Sequence, residues 1–423
     1  MKIKTKHLPY EKVQALPRPK HRNPLRPNRL LQLVIRVLSI FDLIPTKFTY
    51  RKHGMEKLGK KEPCLILMNH SCFLDLKIAS KIFFPRRYGV VCTTDALVGK
   101  PWLMRLIGCI PTQKYVHDLN LIRDMEYLLK KKKTSVLMYP EAGYSFDGTA
   151  TALPRKMGVL LKKFGVPVVS VITHGAFQRD PLYNGLQLRK VKVSADVTYL
   201  LSKEQIETMS VKELDQVLED TFTFDNFRWQ QENKIVVDEP FRADYLNRVL
   251  YHCPHCNTQG KMEGKGTQLV CRACGKAYTL TETGYLEAAD GDPAFTHVPD
   301  WYAWQRRQVK QELESGDYKL DIDVDIAMMI DYKALYMVGQ GRLTHDTDGF
   351  RLIGCDGKLE YSQGPLTSFS LNADYLWYEI GDVICIGSSD ALYYCFPKGG
   401  DVVAKTRLAT EELYKMKKQR VKM

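Results

Sequence analysis

The sequence has no apolar stretch long enough to cross a membrane. A membrane-spanning helix needs about 20 consecutive apolar residues, and polar or charged side chains interrupt every apolar run well before that length. The first thirty residues also lack the apolar core of a signal peptide, because prolines and basic residues are scattered through them. We therefore expect a cytoplasmic protein that is peripheral on the inner face of the cell membrane.

Cysteine and acidic residues also exclude some classes of protein. The 11 cysteines are an odd number, which does not suggest a set of disulfide bonds. Four of them form closely spaced pairs typical of metal sites, which favours a reducing cytoplasm. Asp and Glu number 48 against 62 Lys and Arg, for a formal net charge of +14. This excess favours an anionic partner such as lipid headgroups, nucleic acid or an acidic carrier protein.

The start of the chain divides into two unlike segments. Residues 1–29 carry a single acidic residue, Glu11, among many Lys and Arg, and their prolines exclude a long helix. They are predicted to be a flexible basic arm attracted to an anionic membrane. Residues 30–45 are almost all Leu, Ile, Val or Phe apart from one narrow polar stripe. This segment is too short to span a bilayer but suits a helix lying among the headgroups; packing on the protein core is the alternative.

A short apolar run from Cys64 to Met68 predicts a buried β-strand. Asn69 and His70 follow at its carboxyl end, where α/β proteins commonly carry their chemistry. Asp75 comes five residues after His70, and on an unbroken helix such positions point about 140° apart. A turn between them would let the carboxylate accept a proton from one imidazole nitrogen. The other nitrogen would then be free to act as a general base.

Three further blocks follow in a fixed order: Gly108–Lys114, Tyr139–Ser145 and Val166–Val171. In order and spacing, the four blocks resemble those of the glycerolipid (lysophospholipid) acyltransferase family, whose members move a fatty acyl group from a thioester onto a glycerol hydroxyl. The resemblance covers about residues 45–235. The first block matches well, the third matches partly, and the second and fourth are looser.

This resemblance implies roles for particular residues. His70 would take the proton of the acceptor hydroxyl, and Asp75 would orient the imidazole. The blocks usually shape the acceptor site, and the predicted substrate-binding residues are Asn69, Lys114, Glu141, Gly143, Tyr144 and Ser145. The alternative for Glu141 and Ser145 is that they only brace a turn. The donor would be acyl-CoA or acyl carrier protein, and the acceptor a lysophospholipid or related glycerolipid.

The third block departs from the family pattern at Tyr144, where many members place an arginine that holds a phosphate. Lys114 is the nearest charged replacement within the motifs, and Arg155 and Arg179 are candidates from other loops. The departure predicts an acceptor whose phosphate is diesterified or absent, such as a lysophospholipid or glycolipid.

Two Cys-x-x-Cys pairs, Cys253 with Cys256 and Cys271 with Cys274, have fourteen residues between them. Each pair makes a tight turn with both thiolates on one side, and two such turns form a tetrahedral sulfur site that suits structural Zn²⁺. Iron in a rubredoxin-like site is the minor alternative. The region is therefore predicted to be a zinc ribbon, a fold that binds protein partners and sometimes nucleic acid.

The apolar periodicity predicts an α/β sandwich followed by a β-rich region. Strands alternate with amphipathic helices in the first half, and short alternating runs before a last helix resemble a pleckstrin-homology or GRAM-like barrel. The predicted parts are a basic flexible arm (1–29), an amphipathic membrane-docking helix (30–45), an acyltransferase domain (46–240), a zinc ribbon (241–288) and a β-rich domain with a C-terminal helix (289–423).

Three functions compete for this sequence. The first is acyl transfer at an anionic membrane surface. The second is a membrane-associated scaffold built on a relic acyltransferase domain, with the ribbon and β-domain binding partners. Nucleic-acid binding is disfavoured, because the basic residues cluster at the termini and the ribbon lacks interleaved aromatics. The intact pair His70 and Asp75 favours the enzyme.

Overall fold

The computed structural model describes residues 2–116, 118–154 and 156–422, with side chains described up to residue 419. Strands alternate with helices through the first half of the chain. The elements of this half are β1 (Thr5–His7), α1 (Tyr10–Gln14), α2 (Arg29–Leu43), β2 (Thr49–His53), β3 (Leu65–Met68), α3 (Asp75–Phe83), β4 (Tyr88–Thr93), α4 (Pro101–Ile107), β5 (Cys109–Thr112), α5 (Leu119–Glu126), β6 (Ser135–Met138), α6 (Met157–Phe164), β7 (Val168–His174), α7 (Ala176–Arg179), β8 (Ser194–Leu201), α8 (Lys203–Thr208), α9 (Val211–Thr221) and α10 (Asn226–Glu232).

A seven-stranded sheet in the order β2-β8-β7-β3-β6-β4-β5 forms the centre of this half. Every neighbouring pair is parallel except β7 with β8. Strand β3 lies in the middle, where Ile66 and Met68 pack towards α3 and Leu65 and Leu67 pack on the opposite face. A strand buried on both faces needs apolar residues at every position, which explains its unbroken apolar run. The predicted α/β class is confirmed.

The second half is rich in antiparallel strands. Its elements are β9 (Met262–Lys265), β10 (Gln268–Cys271), β11 (Ala277–Leu280), β12 (Leu286–Ala288), α11 (Val298–Ser315), β13 (Leu320–Met328), β14 (Leu335–Asp346), β15 (Gly349–Gly354), β16 (Leu359–Gln363), β17 (Asn372–Trp377), β18 (Gly381–Gly387), β19 (Leu392–Pro397) and α12 (Val403–Lys422). The ribbon strands form a sheet in the order β12-β11-β10-β9, and a larger sheet runs β16-β15-β14-β13-β19-β18-β17. The β-rich C-terminal region is thus confirmed, and its likeness to a pleckstrin-homology or GRAM barrel stays a prediction.

One hydrophobic cluster joins an edge of the first half to the ribbon and the C-terminal sheet, whereas the two faces of the seven-stranded sheet pack in clusters of their own. Phe177 of α7, Tyr278 of the ribbon, Trp301 of α11 and Val324 of β13 belong to the same buried cluster. The indole nitrogen of Trp301 donates to the carbonyl oxygen of His252 at 2.9 Å, which joins α11 to the first cysteine turn. The predicted domain boundaries stay a prediction.

The arm predicted to be flexible is partly ordered, which corrects the expectation for residues 1–29. Strand β1 pairs in parallel with the start of β14, and its residues 5–7 lie beside 335–337. Tyr10 and Val13 of α1 are buried in the shared core, and Glu11 forms an ion pair with Lys358. The spacing of Tyr10 and Val13 puts both on one side of a helix, a short apolar face that the surrounding basic residues hid.

Helix α2 corresponds closely to the predicted membrane-docking segment (30–45) and begins at Arg29. The side chain of Asn28 accepts bonds from the first free backbone N–H groups and fixes this start. The helix packs on α3, and the ion pair of Asp42 with Lys77 at 2.9 Å joins the two. Its other side leaves large apolar side chains exposed: Leu30, Leu33, Val34, Val37, Leu38, Phe41 and, just beyond its end, Ile44. Among the described residues, we find no helix with the length and apolar character needed to cross a bilayer.

Candidate active site and cysteine cluster

His70 and Asp75 meet in a turn at the carboxyl end of β3. The turn leads into α3, which begins at Asp75, so the two side chains do not sit on one continuous helix. His70 Nδ1 donates to Asp75 Oδ2 at 2.8 Å. The same oxygen accepts the backbone N–H groups of Ser71 at 2.9 Å and Cys72 at 3.3 Å. Because Oδ2 is the acceptor for these donors, Nδ1 carries the proton and Nε2 keeps its lone pair.

The electrostatics of the pair favour a neutral imidazole. Burial lowers the pKa of His70, and the Asp75 carboxylate opposes that shift. Burial also raises the pKa of Asp75, while the bond from His70 lowers it. Desolvation disfavours the charged form of each group, and their mutual contact favours it. The arrangement has the geometry of an oriented general base, and the catalytic role of both residues stays a prediction.

Two tyrosine rings enclose the imidazole of His70. Tyr139 and Tyr144 each stack on it with ring centres 4.0 Å apart, at interplanar angles of 20° and 30°. The side chain of His70 keeps 16% of its surface exposed. Tyr139 was missed as a site residue in the sequence, although it directly follows β6, the parallel neighbour of β3. Residues that follow neighbouring parallel strands meet at one sheet edge, and that rule could have found it.

Glu141 supports the His70 turn from inside the protein. Its Oε2 accepts the backbone N–H of His70 at 3.0 Å, and its Oε1 accepts the N–H of Thr151 at 3.0 Å. The residue is fully buried, and burial raises its pKa to about 7. Both carboxylate oxygens of Glu141 therefore accept bonds from backbone groups, and its contact with an acceptor stays a prediction.

Asn69 and Ser145 also brace backbone segments. Asn69 Oδ1 accepts the N–H of Thr173 at 2.8 Å, which ties the end of β3 to β7. Ser145 Oγ donates to the carbonyl oxygen of Thr149 at 2.6 Å and accepts the N–H of Gly148 at 2.9 Å. Both side chains are buried. The bracing alternative thus describes Ser145 and Glu141 in this structure better than direct substrate contact does.

Lys114 and Tyr144 lie on the open side of the site. The Lys114 ammonium is 5.8 Å from the centre of the Tyr144 ring. Lys114 also lines a cleft against the C-terminal sheet, opposite Ser368 and Asn372. Little space is left for a side chain at Gly143, because a Cβ there would lie 3.0 Å from the hydroxyl of Tyr115.

The positive charge of Lys114 lies near the carboxyl group of Asp374 in the C-terminal domain. Burial raises the pKa of Asp374 to about 6, and the attraction of Lys114 acts in the other direction. Of the two arginine candidates, Arg155 lies outside the described residues. Arg179 is buried and donates to the carbonyl oxygen of Arg189 at 2.7 Å, so it holds its own loop.

The four cysteines of the two Cys-x-x-Cys pairs converge on one point. The sulfur atoms of Cys253 and Cys274 are 3.8 Å apart, those of Cys256 and Cys271 are 3.7 Å apart, and all four lie within 4.8 Å of one another. A tetrahedral site with Zn–S bonds of about 2.3 Å has sulfurs about 3.8 Å apart. The donor set and spacing fit a closed four-thiolate metal site, so the four cysteines could hold a metal ion.

Comparison with known proteins supports the identity of the domain around His70. Residues 49–174 match the family model described as Acyltransferase. Over 144 residues, the chain is 29% identical to the 1-acyl-sn-glycerol-3-phosphate acyltransferase BAT2, chloroplastic, of Brassica napus, covering 33% of this chain and 40% of that relative. The chain therefore spans less than half the length of that curated relative.

A solved structure gives a more distant likeness. The 1-acyl-sn-glycerophosphate (LPA) acyltransferase PlsC of Thermotoga maritima aligns with a TM-score of 0.38 and 17% identity, covering 48% of this chain and 80% of that one. The family match itself spans His70, Asp75 and all three following blocks. Residues 49–174 of this chain are a domain of the acyltransferase family.

Proposed function

We propose that this protein is a glycerolipid O-acyltransferase that moves a fatty acyl group from a thioester donor to a hydroxyl of a lysophospholipid or related lipid. The observation that carries the proposal is the bond of 2.8 Å between His70 and Asp75 inside the matched region. The donor is acyl-CoA or acyl carrier protein, both of which present an anionic carrier to a chain of net charge +14.

In the proposed reaction, the acceptor hydroxyl gives its proton to Nε2 of His70 while its oxygen attacks the thioester carbonyl carbon. The tetrahedral intermediate then expels the thiolate, which takes the proton back from the imidazolium. Asp75 stabilises the imidazolium through Nδ1. General-base help of this kind is worth about 10²–10⁴-fold in rate, and positioning of both substrates supplies the remainder.

The exposed side of α2 supports docking on an anionic membrane. Phe41 and Ile44 at its C-terminal end are each about two-thirds exposed, at 70% and 65%. The same end contacts α3, and Leu76 of α3 and Phe73 of the preceding turn are also exposed. Exposed Lys47 follows shortly after, and exposed Lys190 and Lys192 belong to a segment whose Val193 donates its backbone N–H to the carbonyl oxygen of Thr46. An apolar strip bordered by cations suits the interface of an anionic bilayer.

This docking surface would lead lipid substrates directly to His70. The ring of Phe73 lies 5.6 Å from that of Tyr144, which in turn stacks on the imidazole. A lysolipid held at the membrane surface beside α2 therefore has a short apolar path to the general base.

Substituting Leu38 and Phe41 with glutamate should release the protein from anionic vesicles, because it places two charges on the exposed strip. Flotation with phosphatidylglycerol vesicles measures this. A matched control is Val159→Glu on α6, also an exposed apolar position, and it should float like the wild type. Raising the salt concentration should weaken binding only partly, since screening does not affect the apolar term. Equal flotation of the double variant and the control would contradict membrane docking through α2.

We also expect lysophosphatidate to be a poor acceptor. Its phosphate monoester needs strong positive charge, but the arginine position is occupied by Tyr144 and the nearby cation, Lys114, is opposed by Asp374. Lysophospholipids with diesterified phosphate should therefore react faster, in side-by-side initial rates. Tyr144→Arg should shift the preference towards lysophosphatidate, and Tyr144→Phe, which keeps the ring, should not. A wild-type preference for lysophosphatidate that disappears in Lys114→Ala would show that Lys114 alone suffices.

The cysteine cluster is proposed to hold structural Zn²⁺. The thiolates of Cys253, Cys256, Cys271 and Cys274 would fill all four positions of the ion, leaving none for a substrate. When bound, the ion would supply folding stability and no step of the acyl transfer. One partner of the ribbon within this chain is α11, through Trp301 and Gln305.

A further inference from the structure

A buried arginine of the C-terminal helix reaches the third block of the acyltransferase domain. Arg407 of α12 donates from its guanidinium to the carbonyl oxygen of Tyr144 at 3.0 Å. The guanidinium carbon also lies 4.5 Å from the centre of the Phe146 ring. Only 5% of the Arg407 side chain is exposed. A charged donor held in such a buried place makes a stronger bond to a carbonyl oxygen than a neutral donor does.

Arg407 is itself held in one position by a network of charges. Its Nε donates to Glu411 Oε1 at 3.2 Å, and Arg306 donates to the other oxygen of Glu411 at 2.7 Å. Ser370 donates to Glu411 at 2.7 Å as well. Although burial raises the pKa of Glu411, the two arginines lower it to about 2. The carboxylate therefore stays charged at any physiological pH, and Arg407 has little freedom to turn away.

The bond to Tyr144 bears directly on the general base. The Tyr144 ring stacks on the imidazole of His70 at 4.0 Å, so fixing the main chain of Tyr144 also fixes the ring. A second contact from the same domain reaches the other support of His70. The ring of Phe369 lies 5.3 Å from that of Tyr115, whose hydroxyl donates to the carbonyl oxygen of Glu141 at 3.3 Å.

We propose that Arg407 is a positioning residue for acyl transfer: it holds the main chain of Tyr144 so that the Tyr144 ring covers one face of His70. The C-terminal domain thereby completes the active site of the acyltransferase domain and is not an independent module. This inference rests on the proposed function of the His70 site.

A double-mutant cycle of Arg407→Gln and Tyr144→Ala tests this role. Arg407→Gln should lower kcat by roughly 10–100-fold, the effect of one charged hydrogen bond, with KM for the thioester within about threefold of wild type. Arg407→Lys should recover part of the loss, because an ammonium can still reach the carbonyl oxygen. The double variant should be no slower than the slower single variant, because both changes remove the same ring from His70.

The titration of His70 gives a readout that does not depend on activity. Asp75, Lys114, Glu141, Tyr139 and Tyr144 are the ionisable groups around its imidazole. Burial lowers the pKa of His70 in the intact site. Freeing the Tyr144 ring admits water and should raise that pKa in Arg407→Gln and Tyr144→Ala alike. NMR of histidine-labelled protein measures it, with His70→Ala identifying the signal.

Arg248→Gln is the matched control. Arg248, whose side chain is 13% exposed, belongs to another contact with the C-terminal sheet and is paired with Asp382 at 3.4 Å. Its loss should lower Tm while leaving kcat and the His70 titration unchanged. The inference is overturned if Arg407→Gln and Arg248→Gln both lose activity in proportion to their loss of Tm. It is also overturned if the losses of kcat in Arg407→Gln and Tyr144→Ala multiply in the double variant, or if Arg407→Gln leaves the His70 titration unchanged. Absence of acyl transfer by the wild type would instead refute the proposed function, and the titration would still decide the role of Arg407.

Discussion

Replacing His70 with alanine is expected to lower acyl transfer by about 10²–10⁴-fold while leaving the fold intact, because the change removes the general base. The loss should appear in kcat, since the imidazole acts on the hydroxyl only as it attacks. Initial rates with a labelled thioester and a lysophospholipid measure the effect. Circular dichroism and Tm establish that the variant is folded. Wild-type turnover in a folded His70→Ala protein would contradict the assignment of His70 as the general base.

Asp75→Asn should be nearly as damaging. An asparagine at this position can present its NH₂ group to Nδ1, which would favour the tautomer with the proton on Nε2 and block the base. It also removes the charge that stabilises the imidazolium. The pair of His21 and Asp124, joined at 3.0 Å, offers a matched control elsewhere in the chain. His21→Ala and Asp124→Asn should keep the wild-type rate.

The same assignment fixes the pH dependence of kcat/KM. Burial lowers the pKa of His70, so the unprotonated base persists at pH values below the usual pKa of histidine. Activity should therefore hold on the acid side of pH 6.5 and fall only as the pH drops through the lowered pKa. An acid limb above pH 6.5 would be inconsistent with this site.

Removing the metal from the cysteine cluster is expected to unfold more than the ribbon. Cys253 and Cys271 are buried in the core that also contains Phe177, Trp301 and Val324. Binding of Zn²⁺ to a four-thiolate site is worth about 10–16 kcal/mol, as large as the whole stability of a typical domain at about 5–15 kcal/mol. A separately packed ribbon could lose its metal without effect on the His70 site. Here the shared hydrophobic cluster couples the stability of the ribbon to that of the acyltransferase domain.

Metal analysis should find about one zinc per chain. Cys253→Ser with Cys271→Ser, or a strong chelator, should cause a large fall in Tm and a parallel loss of acyl transfer. The exposed sulfur of Cys274 gives the chelator access. Cys355→Ser changes a buried cysteine outside the cluster and should have a much smaller effect. A metal-free protein with normal Tm and a protease-resistant ribbon would contradict this prediction.

The sequence was sufficient for features that depend on local spacing. The apolar run of β3 predicts a buried strand, and the separation of five positions from His70 to Asp75 requires a turn if the side chains are to meet. The two Cys-x-x-Cys pairs likewise carry their own geometry, because each makes a turn of fixed shape. These parts of the fold need little knowledge of distant residues.

Contacts between distant residues left no such signal. Residues 5–7 pair with 335–337, and Arg407 reaches Tyr144 across 263 positions. Nothing in the sequence around either residue of such a contact identifies its partner. The roles of Glu141 and Ser145 were also undetermined, because a polar residue in a motif can face a substrate or a backbone group. Only packing decides between the two, and here both side chains are buried against backbone.

The most direct test of the central claim is transfer of radiolabelled acyl groups by the purified full chain. Acyl-CoA and acyl carrier protein would be offered as donors, with lysophospholipids, lysophosphatidate and glycolipids as acceptors, on anionic vesicles. The His70–Asp75 site predicts an acylated lipid product with at least one acceptor, lost in His70→Ala and retained in His21→Ala. Folded, zinc-loaded wild-type protein that acylates none of them, or that makes the same product without His70, would contradict it.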